Sequence, residues 1–331
     1  MRTTLASDAV IDQAYQWLCQ QRRHWHANAD VWELRSRWQH IKPTIQAELL
    51  NGTFRFAPMA RVTKADGEVI HIWSARDALV LKALTIVLAP HLPIAKSCTH
   101  VKGNGGAKAA VRAVRDELPN YAFVMRTDVQ GYYEHIDHHQ MLAMLADHIA
   151  DRPVLNLLCQ AMRRTVTWGG LYRDCEKGIS RGCPLSPLLG AFFLHKLDAA
   201  MDKPGLFYVR FMDDILVLAP TRWKLKHAVK TVNQHLDNLN LAKHPDKTFI
   251  GRIEKGFDFL GYRFSREGLS VAPATLKRFI EKTARLYEQE QRNPQGVPVL
   301  GAYVRRWVGW VCGGLGKTQK TPLSQRGFCI L

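Results

Sequence analysis

Residues 207–218, F-Y-V-R-F-M-D-D-I-L-V-L, decide the fold. They read as two short apolar strands, 207–212 and 215–218, with Asp213 and Asp214 between them. Adjacent carboxylates at a hairpin tip repel each other unless a cation sits between them. Hard oxygen ligands of this kind suit magnesium. A solvated turn accounts for the same two residues, because Asp is common in turns. The stretch alone leaves both readings open.

A third carboxylate upstream tips the balance. Residues 122–125 form an apolar strand that ends in Arg126-Thr127-Asp128 and runs on into V-Q-G-Y-Y. Such a carboxylate, leaving a buried strand, can meet the other two across a sheet. Three carboxylates around two cations about 3.5–4 Å apart make a phosphoryl- or nucleotidyl-transfer site.

The ordered motifs D-V-Q-G-Y-Y (128–133), R-G-C-P-L-S-P (181–187) and F-M-D-D (211–214) resemble those of reverse transcriptases. The match is to the bacterial retroelement type, similar to group II intron-like enzymes, and it covers roughly residues 50–310. It implies an α+β right-hand polymerase with fingers, a palm built on an antiparallel sheet backed by helices, and a short helical thumb. The expected divisions are an N-terminal helical extension (1–50), fingers (51–120), palm (121–272) and a basic thumb and tail (273–331). The implied activity is RNA-directed DNA synthesis from dNTPs on a DNA or RNA primer. Two Mg2+ ions are implied, with Asp128, Val129, Asp213 and Asp214 as their ligands. The rival reading is a catalytically vestigial, maturase-like RNA-binding protein. The three intact aspartates count against it, since a pure binder needs none of them. A third reading keeps the enzyme and makes it a stand-alone antiphage reverse transcriptase copying a dedicated noncoding RNA.

Composition agrees with a nucleic-acid partner. The 331 residues carry 46 Lys+Arg against 29 Asp+Glu, a net charge of +17, which favours a polyanion. A hydrophobic content of 47% and a charged content of 23% are those of a globular protein with a sizeable core. No apolar run of about 18 residues is present to span a membrane, and the N-terminus lacks the apolar segment of a signal peptide. The seven cysteines show no C-x-x-C and no zinc spacing. They read as reduced thiols of a cytoplasmic protein. The oligomeric state stays open.

Around the motifs, residues 7–50 read as amphipathic helices and residues 60–72 as a hairpin turning at Asp66-Gly67, followed by a helix over 74–88. The resemblance places Lys64 on the incoming triphosphate. Where the family often has an Arg after the turn, this chain has Ile70 and His71, leaving Arg76 as the second candidate. The Gly-rich run at 100–106 opens a helix over 107–118. Free N–H groups at such a place suit a phosphate, and in the family it touches the template or primer through Lys102, Gly103 and Gly105. Glu134, His135, Asp137, His138 and His139 imitate a metal cluster, but neighbours at a helix start point apart. They read as exposed turn and cap residues.

The loop at 178–187 precedes an apolar helix over 188–201. In the family it supports the templating base and the incoming nucleotide, which nominates Arg181, Gly182 and Pro184. Many members have Pro-Gln-Gly where this chain has Ser180-Arg181-Gly182. Ser186-Pro187 departs from the Ser-Gln of diversity-generating retroelements. Tyr133 falls where reverse transcriptases put an aromatic ring beneath the incoming sugar, which would exclude a 2′-hydroxyl. Lys247 is the implied general acid for pyrophosphate. Residues 257–262 resemble a primer grip, with Leu260 and Gly261 at its turn. Residues 273–331 hold ten Lys+Arg against three Glu, and Arg305 and Arg306 are the candidates for gripping a duplex. The run G-G-L-G-K-T at 313–318 imitates a P-loop. Its first Gly would fall at Val311, so it is a decoy.

Overall fold

The computed structural model describes residues 1–64, 67–203, 205–292 and 298–316. Asp66, Lys317, Thr318, Lys320 and Arg326, named above, lie outside the described residues. Short alternating or apolar runs make eleven strands among the described residues: β1 (Ala60–Thr63), β2 (Val69–Ile72), β3 (Phe123–Asp128), β4 (Thr165–Trp168), β5 (Leu171–Asp174), β6 (Phe207–Phe211), β7 (Asp214–Ala219), β8 (Phe249–Arg252), β9 (Phe257–Phe259), β10 (Tyr262–Ser265) and β11 (Gly268–Val271). They form four antiparallel sheets, β1-β2, β4-β5, β6-β7-β3-β8 and β9-β10-β11, so the chain is α+β as expected.

The chain divides into two compact units, each discontinuous in sequence. The first comprises Met1–Ile94, Gly131–Lys196 and Leu236–Leu241. Its central helix, Ala75–Leu88, is apolar on nearly every side and is buried accordingly. Ser74, expected inside that helix, is its N-cap instead, its hydroxyl accepting from the Asp77 N–H at 3.0 Å. The helix Asp8–Gln21 packs Val10, Ile11, Ala14 and Leu18 against it. The β1-β2 hairpin appears in the expected place. The β4-β5 hairpin was not foreseen; Met59 joins β4 beside it through a parallel bridge to Val166.

Two expectations for this unit need correction. The apolar helix over 188–201 is two helices, Ser186–Phe193 and His195–Met201. The His195 ring sits 2.7 Å from the Phe192 carbonyl oxygen, taking an acceptor that the helical ladder would use. His138 is not exposed. It is 5% accessible, its Nε2 lies 2.7 Å from the Gly178 carbonyl oxygen, and burial pushes its pKa below the usual value.

The second unit comprises Ala95–Gln130, Leu197–His235 and Ala242–Leu331. Its four-stranded sheet has β3 in the middle, flanked by β7 and β8. Strand alternation sends Val124, Leu216 and Leu218 to one face. There they join a core with Val111 and Val114 of the helix Gly106–Glu117, with Phe257, Phe259 and Phe264 of the three-stranded sheet, and with Trp307 and Val311. The helices Pro273–Arg292 and Leu300–Leu315 are stapled by Phe279 stacked on Trp307, 3.8 Å between centroids.

Candidate active site

Antiparallel register builds the carboxylate cluster of the second unit. Asp128, the last residue of β3, pairs with Asp214, the first of β7. Paired residues point to the same face, so these two carboxylates share one end of one face. Asp213 completes the β6-β7 turn, in which Met212 takes a left-handed φ of 56°. The Val129 N–H donates to the Asp213 carbonyl at 3.1 Å, fastening the turn to the strand that carries Asp128. Val129 is fully buried, and only its main chain offers an oxygen ligand.

The next segment is fastened alongside. The N–H of Gln130 donates to Ala242 and that of His244 to the Asp128 carbonyl, at 2.8 and 2.7 Å. Arg126 donates to the Lys247 carbonyl at 2.9 Å. These bonds deliver the half-exposed Lys247 ammonium to the Asp128 carboxylate. Burial, followed by the charges of Asp213 and Asp128, pushes the Asp214 carboxyl up to about 6. Burial, reinforced by Asp128, also raises Asp213. The bond to Asp128 raises Lys247 in turn.

Among the described residues, no three His, Cys, Asp or Glu side chains stand spaced to close on a metal ion. The chemistry of the cluster nevertheless fits a hard divalent cation. The donors are carboxylate oxygens, and their raised pKa values record negative charge that the single Lys247 leaves partly uncompensated.

In the first unit, four nominated residues share one cavity of about 760 Å³: Lys64, Arg181, Gly182 and Pro184. Trp17, Trp25, His71 and Trp73 also line it. Lys64 pairs with Glu68 at 2.5 Å and Arg181 with Glu134 at 2.8 Å, both on the surface and readily exchanged for a phosphate. Arg76 is not brought there. It lines another cavity, where it bonds Glu48 and lies over the Phe54 ring at 4.4 Å. Tyr133 packs beside Tyr132, 5.8 Å between centroids, with its ring against Gly190, where an added Cβ would lie 2.9 Å away. Gly178 secures this loop: its φ is 79°, and a Cβ there would meet the Tyr133 carbonyl oxygen at 2.7 Å.

A family model described as reverse transcriptase (RNA-dependent DNA polymerase) matches residues 78–264, more than half of the chain. The chain belongs to the reverse transcriptase family. Protein YkfC of Escherichia coli K12 is 24% identical over 272 residues, covering 67% of this chain and 71% of that protein. The group II intron-encoded protein LtrA of Lactococcus lactis is 22% identical over 244 residues, covering 72% of this chain but 38% of LtrA. Among solved structures, a chain of a partial Cas6-RT-Cas1--Cas2 complex aligns with a TM-score of 0.44 and 20% identity, over 71% of this chain and 40% of that one. This reverse transcriptase thus spans about two fifths of the length of LtrA and of that chain.

The primer and template candidates of this reverse transcriptase occupy several places in its second unit. Lys102 and Gly103 lie in an exposed turn, and Gly105 caps the helix Gly106–Glu117. The loop spends part of its donor capacity internally, contrary to the sequence expectation. Gly106 N–H donates to Thr99 and Asn104 N–H to Val101, at 2.9 and 3.0 Å. Leu260 and Gly261 form the β9-β10 turn, both with positive φ, 47° and 85°. The close approach that demands glycine at 261 is to Trp310, whose ring would lie 2.9 Å from a Cβ. Arg305 and Arg306 are exposed on the helix Leu300–Leu315.

Sequence reasoning missed what holds the Asp213 turn from behind. Arg210 and Asp198 are fully buried and joined, with Arg210 Nε 2.7 Å and Nη2 2.5 Å from the carboxylate oxygens. Tyr208 donates to the same carboxylate at 2.7 Å, and Arg210 Nη1 donates to the Met212 carbonyl at 2.9 Å. The Met212 N–H donates to His100 Nδ1, also at 2.9 Å. The available signal was an arginine standing inside an apolar strand run. Lys108 was missed as well: its ammonium lies 4.1 Å from the Trp310 ring centroid, and burial lowers its pKa to about 8.

Proposed function

We propose that this reverse transcriptase extends a DNA or RNA primer on an RNA template with dNTPs, and that Asp128, Asp213 and Asp214 are its catalytic carboxylates. The observation that carries this reading is the pairing of Asp128 with Asp214 beside Asp213, with carboxyl pKa values raised by burial and mutual repulsion. Perturbed acids gathered in this way are the mark of a functional site. Two Mg2+ ions bound there would activate the primer 3′-hydroxyl and neutralise the triphosphate and pyrophosphate.

The chain's own residues supply the rest. Asp214, titrating near 6, is ionised at neutral pH and open to a hard cation. The Asp198–Arg210 pair fixes the turn that aims Asp213 and Asp214. Lys247, once released from Asp128, can hand a proton to the departing pyrophosphate. Lys64, Arg181, Gly182 and Pro184 bind nucleotide or template, and Tyr133 screens the sugar. We assign the sheet β6-β7-β3-β8 to the palm, the β1-β2 hairpin to the fingers and the helices Pro273–Arg292 and Leu300–Leu315 to the thumb.

Primer extension on an RNA template tests the reading. Wild-type protein extends with Mg2+, while Asp213→Asn binds the same primer–template but adds no nucleotide. Equal RNA binding with no extension by the wild type would favour the vestigial maturase-like binder. Sequencing the RNA that copurifies shows whether the template is a dedicated noncoding RNA of the kind a defence enzyme would copy.

A further inference from the structure

The second unit carries a basic groove that the proposed polymerase chemistry does not use. On β3, Phe123 and Met125 point away from the face that carries Asp128. Their register partners on β8 are Arg252 and Ile250, which therefore share that opposite face. Here β8 and the start of the helix Arg222–Asn238 border a groove of about 530 Å³. Four cationic residues line it: Arg222, Lys226, Arg252 and Lys255.

The floor is apolar, with Phe123 and a 45%-exposed Ile250. Beside it stands Trp223, 78% exposed, with the Lys226 ammonium 5.4 Å from its ring centroid. Arg222 and Lys226 are spaced i,i+4 and so lie on one helix face. Glu254 approaches Arg252 at 3.7 Å, but both side chains are about two thirds exposed and the pair is weak.

We propose that this groove is a second RNA-binding surface, which takes a single-stranded segment of RNA on the side of the sheet turned away from the aspartates. Four cations track phosphates. A flat, exposed indole offers a stacking platform for an unpaired base, which a duplex does not present. Charge complementarity alone would also suit an acidic protein. The exposed tryptophan among cations and the apolar floor favour a polymer that alternates phosphates with flat bases.

The probe is poly(U), bound without primer or nucleotides, so that failure here is separate from failure of the polymerase reading. Trp223→Ala is expected to weaken poly(U) binding roughly tenfold, the size of one lost base stack, and to leave binding of double-stranded RNA unchanged. Arg222→Glu with Lys226→Glu is expected to flatten the salt dependence of poly(U) binding by at least about two log–log units. Both variants keep the wild-type melting temperature, because these side chains are exposed, and both extend a short primer–template normally. Ultraviolet cross-linking of poly(U) should mark the peptide that contains Trp223. Unchanged poly(U) affinity and salt slope in these folded variants would overturn the proposal. So would displacement of poly(U) by polyglutamate at equal charge concentration, which would assign the groove to an acidic protein.

Discussion

Two groups of acidic side chains lie within one unit of this protein, and their charges are handled in opposite ways. Asp198 is fully buried yet fully answered: Arg210 reaches it through two nitrogens and Tyr208 through its hydroxyl. Burial opposes the Arg210 charge, and the carboxylate more than offsets that, so the guanidinium pKa is raised. Asp128, Asp213 and Asp214 are less buried but share only Lys247, and their mutual repulsion joins burial in raising Asp213 and Asp214. The first group is built for permanence. The second keeps negative charge in hand for a cation yet to arrive, a cost that functional sites commonly carry.

The largest effect should come from breaking the answered pair. Arg210→Ala leaves a buried carboxylate alone and is expected to cost about 3–5 kcal/mol in denaturant unfolding. Arg210→Met with Asp198→Leu should recover most of that loss, because neither charge then remains buried. A single variant as stable as wild type would erase the contrast between the two groups.

The unanswered cluster should respond in the opposite sense. The Asp214 carboxyl is raised from 3.8 to about 6 in the folded chain. The metal-free fold therefore binds this proton more tightly than the unfolded chain does. Stability from this group is complete below pH ~4 and is lost as pH rises through ~6. Asp214→Asn escapes that loss. At pH 8 with chelator it is expected to be more stable than wild type by about 1–2 kcal/mol, after allowance for partial exposure. The gain should shrink towards zero at pH 4. Melting curves across this range check it, and a gain independent of pH would assign the effect to something other than ionisation. Adding Mg2+ at pH 8 should raise the wild-type melting temperature and leave Asp214→Asn nearly unmoved.

Lys247→Ala should show the smallest effect on the fold. Its side chain is 51% exposed, so thermal unfolding should change by less than about 1 kcal/mol, while nucleotide incorporation falls if the lysine donates the proton. Loss of incorporation through unfolding would remove that role.

How much the sequence disclosed follows the same division. The aspartates were legible because each ends or begins an apolar strand run, and alternation alone brings Asp128 opposite Asp214. Arg210 was quoted in the deciding stretch but went unread. Its partner, twelve residues earlier, belongs to a different element, and no local pattern joins an arginine in a strand to an aspartate in a helix. Arg76 was misplaced for a related reason: its partner Glu48 comes from a distant helix. Gly261 was correctly marked as a place of close approach, yet the group that approaches is Trp310, fixed by tertiary packing. His138 looked exposed because its neighbours are polar, while the Gly178 carbonyl that draws it inward lies forty residues away.

The most direct test of the account is single-nucleotide incorporation by Asp214→Asn on an RNA template with Mg2+, measured on a sample whose melting curve is recorded alongside. The account predicts a protein that melts higher than wild type without metal, binds primer–template normally and adds no nucleotide. A variant that incorporates dNTPs at the wild-type rate would contradict it.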